Sequence, residues 1–479
     1  MRNVGFGVIT STRGFFNPEL AYEGRNEILK KLRDMGYATV SLDEETTRYG
    51  LVETMEDAAK CAELFKKNEK EIQGIIVCLP NFGDEVGVTS AIHMAGLNVP
   101  VLVQACDDEK DKMDVAGRRD AFCGKISVCN NLYQYGIKFT NTTYHTCAID
   151  SEVFTRDIED FEKVCRVVAG LKGLRVAQIG TRPAAFQTVR YSEKLLQKMG
   201  VQVIPVDMSE IIFAAQAQEV DEEVQAVIGR IKGYGTLEAD VAEENIVKQA
   251  KLYVTVKKWM LENDCQAGTI QCWDSVQKNY GCATCLTMSM LGEEGIPMAC
   301  EVDVMGAVTM YAMYLASQSP SGYLDWNNSF GEDRNMCISI HCSNFPKSFI
   351  DGDFTIGSLD ILGNSLGKEK CFGACKTVIA PGSMTYGKIS TDDVKGVVKM
   401  YVGEGEFVKD EIDTVGGVAI CRVPKLQSLM NYICCNAYEH HVAMNRGCNA
   451  KILEEAMGRY LGVEVYNHSK YEEVSDERF

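Results

Sequence analysis

Residues Gly74–Leu79 read Gly-Ile-Ile-Val-Cys-Leu, a run with no charged or strongly polar side chain on either face. A strand of this kind has to be covered on both sides, which calls for a parallel sheet between two layers of helices. The same texture recurs along the first 170 residues. Val4–Thr10, Ala38–Leu42 and Val99–Gln104 are apolar strand segments, and Pro18–Met35 and Ala58–Asn68 between them have helical spacing. A second series begins near Leu171, with strands at Leu174–Gly180, Val201–Val206, Gly268–Cys272 and Pro297–Cys300 set among helical stretches, the last of them the apolar Asp303–Ala316. After Asp325 the texture changes. Cys337–His341, Met384–Ser390 and Val397–Val402 follow one another as strands with no helix between them, and helices over Leu426–Met444 and Ala450–Leu461 close the unit. The expectation is an α/β protein with two doubly wound parallel-sheet domains, 1–170 and 171–325, followed by a mainly antiparallel β C-terminal domain with closing helices, 326–479. A chain of 479 residues agrees with three domains at about 150 residues each.

The net charge of −18 argues against a nucleic acid or an anionic membrane surface as partner, because both need a basic face. It leaves room for a small anionic substrate held by a local Arg or Lys. The opening Met1-Arg2-Asn3-Val4-Gly5-Phe6-Gly7-Val8-Ile9-Thr10 reads as a first strand rather than an export signal. With no apolar run near the ~20 residues of a membrane span, a cytoplasmic protein is expected. Its 20 cysteines are then reduced thiols, most of them packing as small hydrophobes. Cys282 and Cys285 fall in a helix-like stretch and lack the paired knuckles of a structural zinc site. No Gly-x-Gly-x-x-Gly separates a strand from a helix and there is no Walker loop, so no nucleotide cofactor is expected.

The chemistry is concentrated in a few residues. Glu301 directly follows the strand Pro297–Cys300, at the carboxyl end of a parallel strand, where open α/β sheets place their ligands. The same position also suits a carboxylate that complements a helix N-terminus. Asp325 stands before the polar run Asn327-Asn328-Ser329 and by itself reads as a turn residue. His341 ends a strand-like run and by itself reads as a core histidine. His440-His441, placed on the expected helix Leu426–Met444, would point about 100° apart, so one of the two faces any given site. Together the two carboxylates and two imidazoles at 301, 325, 341 and 441 are the donor types that suit a divalent ion such as Mn²⁺. The carboxylates would also serve as proton carriers beside it.

These segments carry a family resemblance. Ala299-Cys300-Glu301-Val302-Asp303-Val304-Met305-Gly306-Ala307 resembles the fucose isomerase segment that contains a metal-binding, catalytic Glu. Asp325 follows Glu301 after 24 residues, where that family has its second carboxylate. Ile340-His341-Cys342-Ser343 resembles the Gly-Ser-His segment of arabinose isomerases, and His440-His441 resembles their His-His pair, whose second member binds metal. The resemblance is to the L-fucose/L-arabinose isomerase family over the whole length. It implies a metal-dependent interconversion of an aldose and a ketose through an enediol. Glu301 and Asp325 would be the catalytic pair, Glu301, Asp325 and His441 ligands of the Mn²⁺ site, and His341 a fourth ligand or a nearby catalytic group. Gln271 and Trp273, in Ile-Gln-Cys-Trp-Asp, and Arg13, on the first strand-to-helix turn, would be sugar contacts. A homo-oligomer, a hexamer in this family, is implied, with Arg13 reaching a neighbouring subunit's site. Asp325 follows the fucose isomerase pattern, where arabinose isomerases have Glu. The same donor set also suits a metal-dependent epimerase or aldolase, and the two α/β units also suit a non-catalytic sugar-binding protein.

Overall fold

The computed structural model describes residues 4–473 other than 343, 351, 413 and 415, so Ser343 lies outside the described residues. The chain divides into two compact units, Met1–Ala169 and Gly170–Phe479.

The first unit is built on a five-stranded parallel sheet in the order Ala38–Val40, Gly5–Thr10, Gly74–Leu79, Val101–Ala105, Thr140–Asn141. Alternation along the central strands separates two cores. Ile75, Val77 and Leu79 join Val101 and Val103 on one face, whereas Ile76 and Cys78 join Phe6, Val8 and Leu102 on the other. Each fully buried Val, Leu or Ile side chain contributes about 1.5–3 kcal/mol, which explains why such runs carry no polar face. The helices between the strands carry their own start signals. Asn17 caps Pro18–Asp34, and Thr54 with Asp57 forms a reciprocal capping box on Met55–Lys67.

Among its described residues the second unit holds two sheets. A four-stranded parallel sheet runs in the order Met298–Ala299, Ala267–Ile270, Arg175–Ile179, Gln202–Val206. The other is mixed and mostly antiparallel. Its path includes Ser321–Asp325, His441–Arg446, Gly382–Asp392, Val397–Phe407 and Gly417–Arg422, and Met336–His341 pairs with the last of these. The expected α/β class, with two parallel sheets and a largely antiparallel third, is therefore what the chain adopts. Helix Val304–Ser317 packs on strands of both sheets. It is apolar around nearly its whole circumference, as a helix enclosed on all sides must be.

Four local expectations need correction. The helix expected over Leu426–Met444 stops at Cys435, and residues 441–446 form a strand instead. Leu426, Leu429 and Ile433 keep helical spacing. Ala437 then enters the left-handed region at φ 53° and reverses the chain without a Gly or Pro to mark the place. The His-His pair accordingly sits at a strand entrance rather than on a helix. Asp325 is the last residue of a strand, not a turn residue. Cys282 lies before, not within, the helix Cys285–Glu293. A short helix, Asp360–Leu366, interrupts the C-terminal strands. Among the described residues no helix is long and apolar enough to cross a membrane.

Candidate metal and active site

Strand Met298–Ala299 delivers the chain to the carboxyl end of the parallel sheet, and Cys300-Glu301-Val302 turns it into the helix Val304–Ser317. Glu301 and Val302 both adopt left-handed backbone, φ 52° and 59°. Such conformations cost on the order of 1–3 kcal/mol each outside glycine, and they persist where the surroundings over-determine them. The turn leaves Glu301 4% exposed. Its Oε1 accepts a hydrogen bond from Trp273 Nε1 at 3.3 Å, with Cys342 Sγ 3.9 Å away. Its Oε2 lies 3.5 Å from His341 Nε2 and 3.6 Å from His441 Nε2.

The antiparallel sheet supplies the opposite wall. Asp325, the last residue of its strand, is the register partner of His441, the first of its own. This pairing sets His441 Nε2 3.5 Å from Asp325 Oδ1. The ring is fixed from behind by Asp303, whose Oδ2 is 3.0 Å from His441 Nδ1. Asp303 caps the helix through Gly306 N at 2.8 Å and also accepts from the buried Lys388 Nζ and Tyr323 hydroxyl. Gly306 is required here, because a Cβ at that position would overlap the Tyr323 hydroxyl.

Burial alone would raise the Asp303 carboxyl, but the Lys388 charge and the His441 hydrogen bond hold it far below the usual carboxylate range. The ionised Asp303 therefore accepts a hydrogen bond from Nδ1–H and turns Nε2 of His441 toward Glu301 and Asp325. Burial also opposes ionisation of Glu301, yet His341, His441 and Trp273 bring it down to about 2. Burial would lower His341, but the charges of Cys342, Glu301 and Asp325 raise it to about 10.

The residues present fit a cation. Glu301 Oε2, Asp325 Oδ1 and His341 Nδ1 are buried with no hydrogen-bond partner. Buried polar atoms without partners are costly, by about 1–3 kcal/mol each and more when charged. Asp325, His341 and His441 each offer a donor atom within 4.8 Å of the others, and Glu301 does the same with His341. Two carboxylates and two imidazoles so arranged would be satisfied together by one divalent ion.

Of the residues singled out from sequence, Glu301, Asp325, His341, His441 and Trp273 converge. Gln271 stands two residues before Trp273 and holds the loop after Arg175–Ile179, accepting from Thr181 N at 3.2 Å. Arg13 belongs to the first compact unit, where it is ion-paired with Glu85 and lies 4.3 Å over the Phe82 ring. The sequence reading did not single out Asp303, Tyr323 and Lys388. Asp303 had one legible signal, an Asp three residues before Gly306 at a helix start. Lys388 had only its position among apolar residues of a strand.

The comparisons with known proteins agree with this architecture. Residues 7–172 match the family described as the N-terminal domain of fucose/sulfoquinovose isomerase, and residues 339–469 match the L-fucose isomerase C-terminal domain. A sulfoquinovose isomerase of Alkalicoccus urumqiensis is 28% identical over 183 residues, 38% of this chain and 40% of that protein. One of Clostridium sp. (strain MSTE9) is 26% identical over 237 residues, 49% of this chain and 52% of that protein. The matches thus span between about two fifths and one half of the length of these curated relatives. Fold and comparisons together define a sugar isomerase-type α/β architecture. The chain belongs to the fucose isomerase-like family.

Proposed function

We propose that the chain is a divalent-metal-dependent aldose–ketose isomerase whose substrate is an anionic sugar of the sulfoquinovose type. The observation that carries this reading is the approach of Glu301 Oε2 and Asp325 Oδ1 to one imidazole nitrogen, His441 Nε2, at 3.6 and 3.5 Å. Isomerisation needs one group to move a proton between C1 and C2 and another to move one between O1 and O2. Glu301 and Asp325 are that pair. A divalent ion, Mn²⁺ in the first instance, held by Glu301, Asp325, His441 and His341 would stabilise negative charge developing on the sugar's O1 and O2. His441 keeps its orientation through Asp303, and Trp273 fixes the Glu301 carboxylate. In this reading residues 171–325 bring the two carboxylates and 326–479 the two imidazoles.

The anionic substrate is supported by charge as well as by the relatives' names. A cleft of about 960 Å³ is lined by Val302, Tyr438 and Glu439 from the neighbourhood of the site, and by Arg182 and Arg190. Arg182 also lines an adjoining cavity of about 590 Å³ with Gln271 and Trp273. A guanidinium there offers a planar donor set for a sulfonate. Twenty free thiols support a reducing, cytoplasmic setting. A closed homo-oligomer, the hexamer of the family, completes the proposal, with Arg13 as a sugar contact supplied to a neighbouring subunit.

The test is to incubate the Mn²⁺-loaded protein with sulfoquinovose, L-fucose and L-arabinose and follow the products by NMR. Ketose from sulfoquinovose is expected. Ketose only from a neutral sugar overturns the substrate class. An epimer, a cleavage product or no product from any of them overturns the isomerase reading.

A further inference from the structure

Two thiols stand beside the same carboxylate and are not used by the chemistry above. Cys300 precedes Glu301 and is fully buried, and Cys342 follows His341 and is partly exposed. The sulfurs of Cys300 and Cys342, a Glu301 oxygen and a His341 ring nitrogen all lie within 4.8 Å of one another. A tetrahedral ion with bonds of about 2.3 Å to sulfur and about 2.0–2.1 Å to nitrogen or oxygen sets its donors about 3.3–3.8 Å apart. The four donors are therefore within a small contraction of that geometry. They come as two consecutive pairs, 300–301 at the exit of the parallel sheet and 341–342 at the end of an antiparallel strand. Glu301 Oε2 and His341 Nδ1 have no hydrogen-bond partner.

We propose that Cys300, Glu301, His341 and Cys342 form a second metal site, one that takes a soft divalent cation such as Zn²⁺. Thiolate donors favour soft ions, whereas the carboxylate–imidazole set suits a harder ion such as Mn²⁺. Both sites draw on Glu301 and His341, so occupation of one excludes the other. This exclusivity rests on the assignment under Proposed function; the thiolate site does not. As the two metal–sulfur bonds form, both thiol protons pass to solvent. The partly exposed Cys342 is the side from which the ion enters. The consequence is a protein that a soft ion holds out of its isomerase state.

Cobalt(II) added to the metal-stripped full chain reads the donor set directly. A thiolate-to-cobalt charge-transfer band with the intense visible bands of tetrahedral cobalt is expected, and one equivalent of Zn²⁺ should abolish both. Cys342→Ser should weaken Zn²⁺ binding by at least about tenfold, the lower bound for losing a group that supports a metal. Mn²⁺ affinity, read by electron paramagnetic resonance, should change by less than about threefold, because sulfur is not among its donors. One equivalent of Zn²⁺ should also release bound Mn²⁺. A wild-type cobalt spectrum without the charge-transfer band overturns the site without any variant, as does Cys342→Ser that binds Zn²⁺ like wild type. Simultaneous binding of Zn²⁺ and Mn²⁺ overturns the exclusivity. A charge-transfer band in a protein that isomerises no sugar would sink the isomerase reading alone.

Discussion

Asp303 Oδ2 lies 3.0 Å from His441 Nδ1, a contact between residues 138 apart in the chain that ties the N-cap of the central helix to the strand entering the site. Loss of the Asp303 charge removes both the tautomer control and the ring position. Asp303→Asn should lower divalent-metal affinity about 10–100-fold, the range found when such supporting carboxylates are removed. Titration with Mn²⁺ under paramagnetic resonance measures this, and wild-type affinity would remove Asp303 from its positioning role.

Lys388 is fully buried against Asp303. Taking away one partner of such a pair leaves a buried charge unmatched, which costs about 3–5 kcal/mol. Lys388→Met should shift the denaturant midpoint accordingly. The double variant Lys388→Met/Asp303→Asn should regain part of the loss, and strict additivity of the two single effects would argue against coupling.

Glu301→Gln and Asp325→Asn should each reduce turnover by at least ~10², the lower end of general acid–base contributions. Near-normal rates in either variant, measured as ketose formation under saturating Mn²⁺, would remove that residue from the proton-carrying pair.

The charges at the site also give the metal-free protein a pH signature. Glu301, brought down to about 2, adds stability that is complete above the ordinary carboxylate range and is lost as pH falls from about 4.5 toward 2. His341, raised to about 10, adds stability that is complete below its ordinary value near 6.5 and is lost as pH rises from there toward 10. Urea midpoints of chelator-treated protein should therefore fall on both limbs. In Glu301→Gln the loss between pH 6.5 and 10 should shrink, because the neutral side chain no longer favours the imidazolium. An unchanged alkaline limb would contradict the pairing.

Arg182 borders both cavities beside Trp273. If it receives the anionic end of the sugar, Arg182→Gln forfeits a charged hydrogen bond worth about 1.5–3 kcal/mol and raises KM about 10–100-fold for the anionic substrate. A neutral sugar that still turns over should keep its KM. An equal rise for both would indicate a general distortion of the loop.

Much of the architecture could be read from local pattern. The run Gly74–Leu79 admits no exposed face, so a helix-covered parallel strand followed directly. Glu301 could be placed at the carboxyl end of a strand because an apolar strand precedes it and an apolar helix follows. The stretch 426–444 misled because its early Leu and Ile positions fit a helix. Val442 and Met444 switch to strand alternation only after a break at Ala437, announced by nothing but the single Asn436 before it.

What the sequence by itself determined was the alternation of apolar strands and helices in the first two series, the α/β class, and the donor types found at Glu301, Asp325, His341 and His441. Periodicity and capping report which side of each segment is covered, and those are local properties. Tertiary structure alone decided that Asp325 and His441 are register partners, that Asp303 and Lys388 share one buried hydrogen-bond network, and that Cys300 and Cys342 gather beside a single carboxylate. Those relationships depend on strand register and on how the apolar helix Val304–Ser317 is enclosed by two sheets. Both arise from contacts between residues far apart in the chain, which no window of sequence contains.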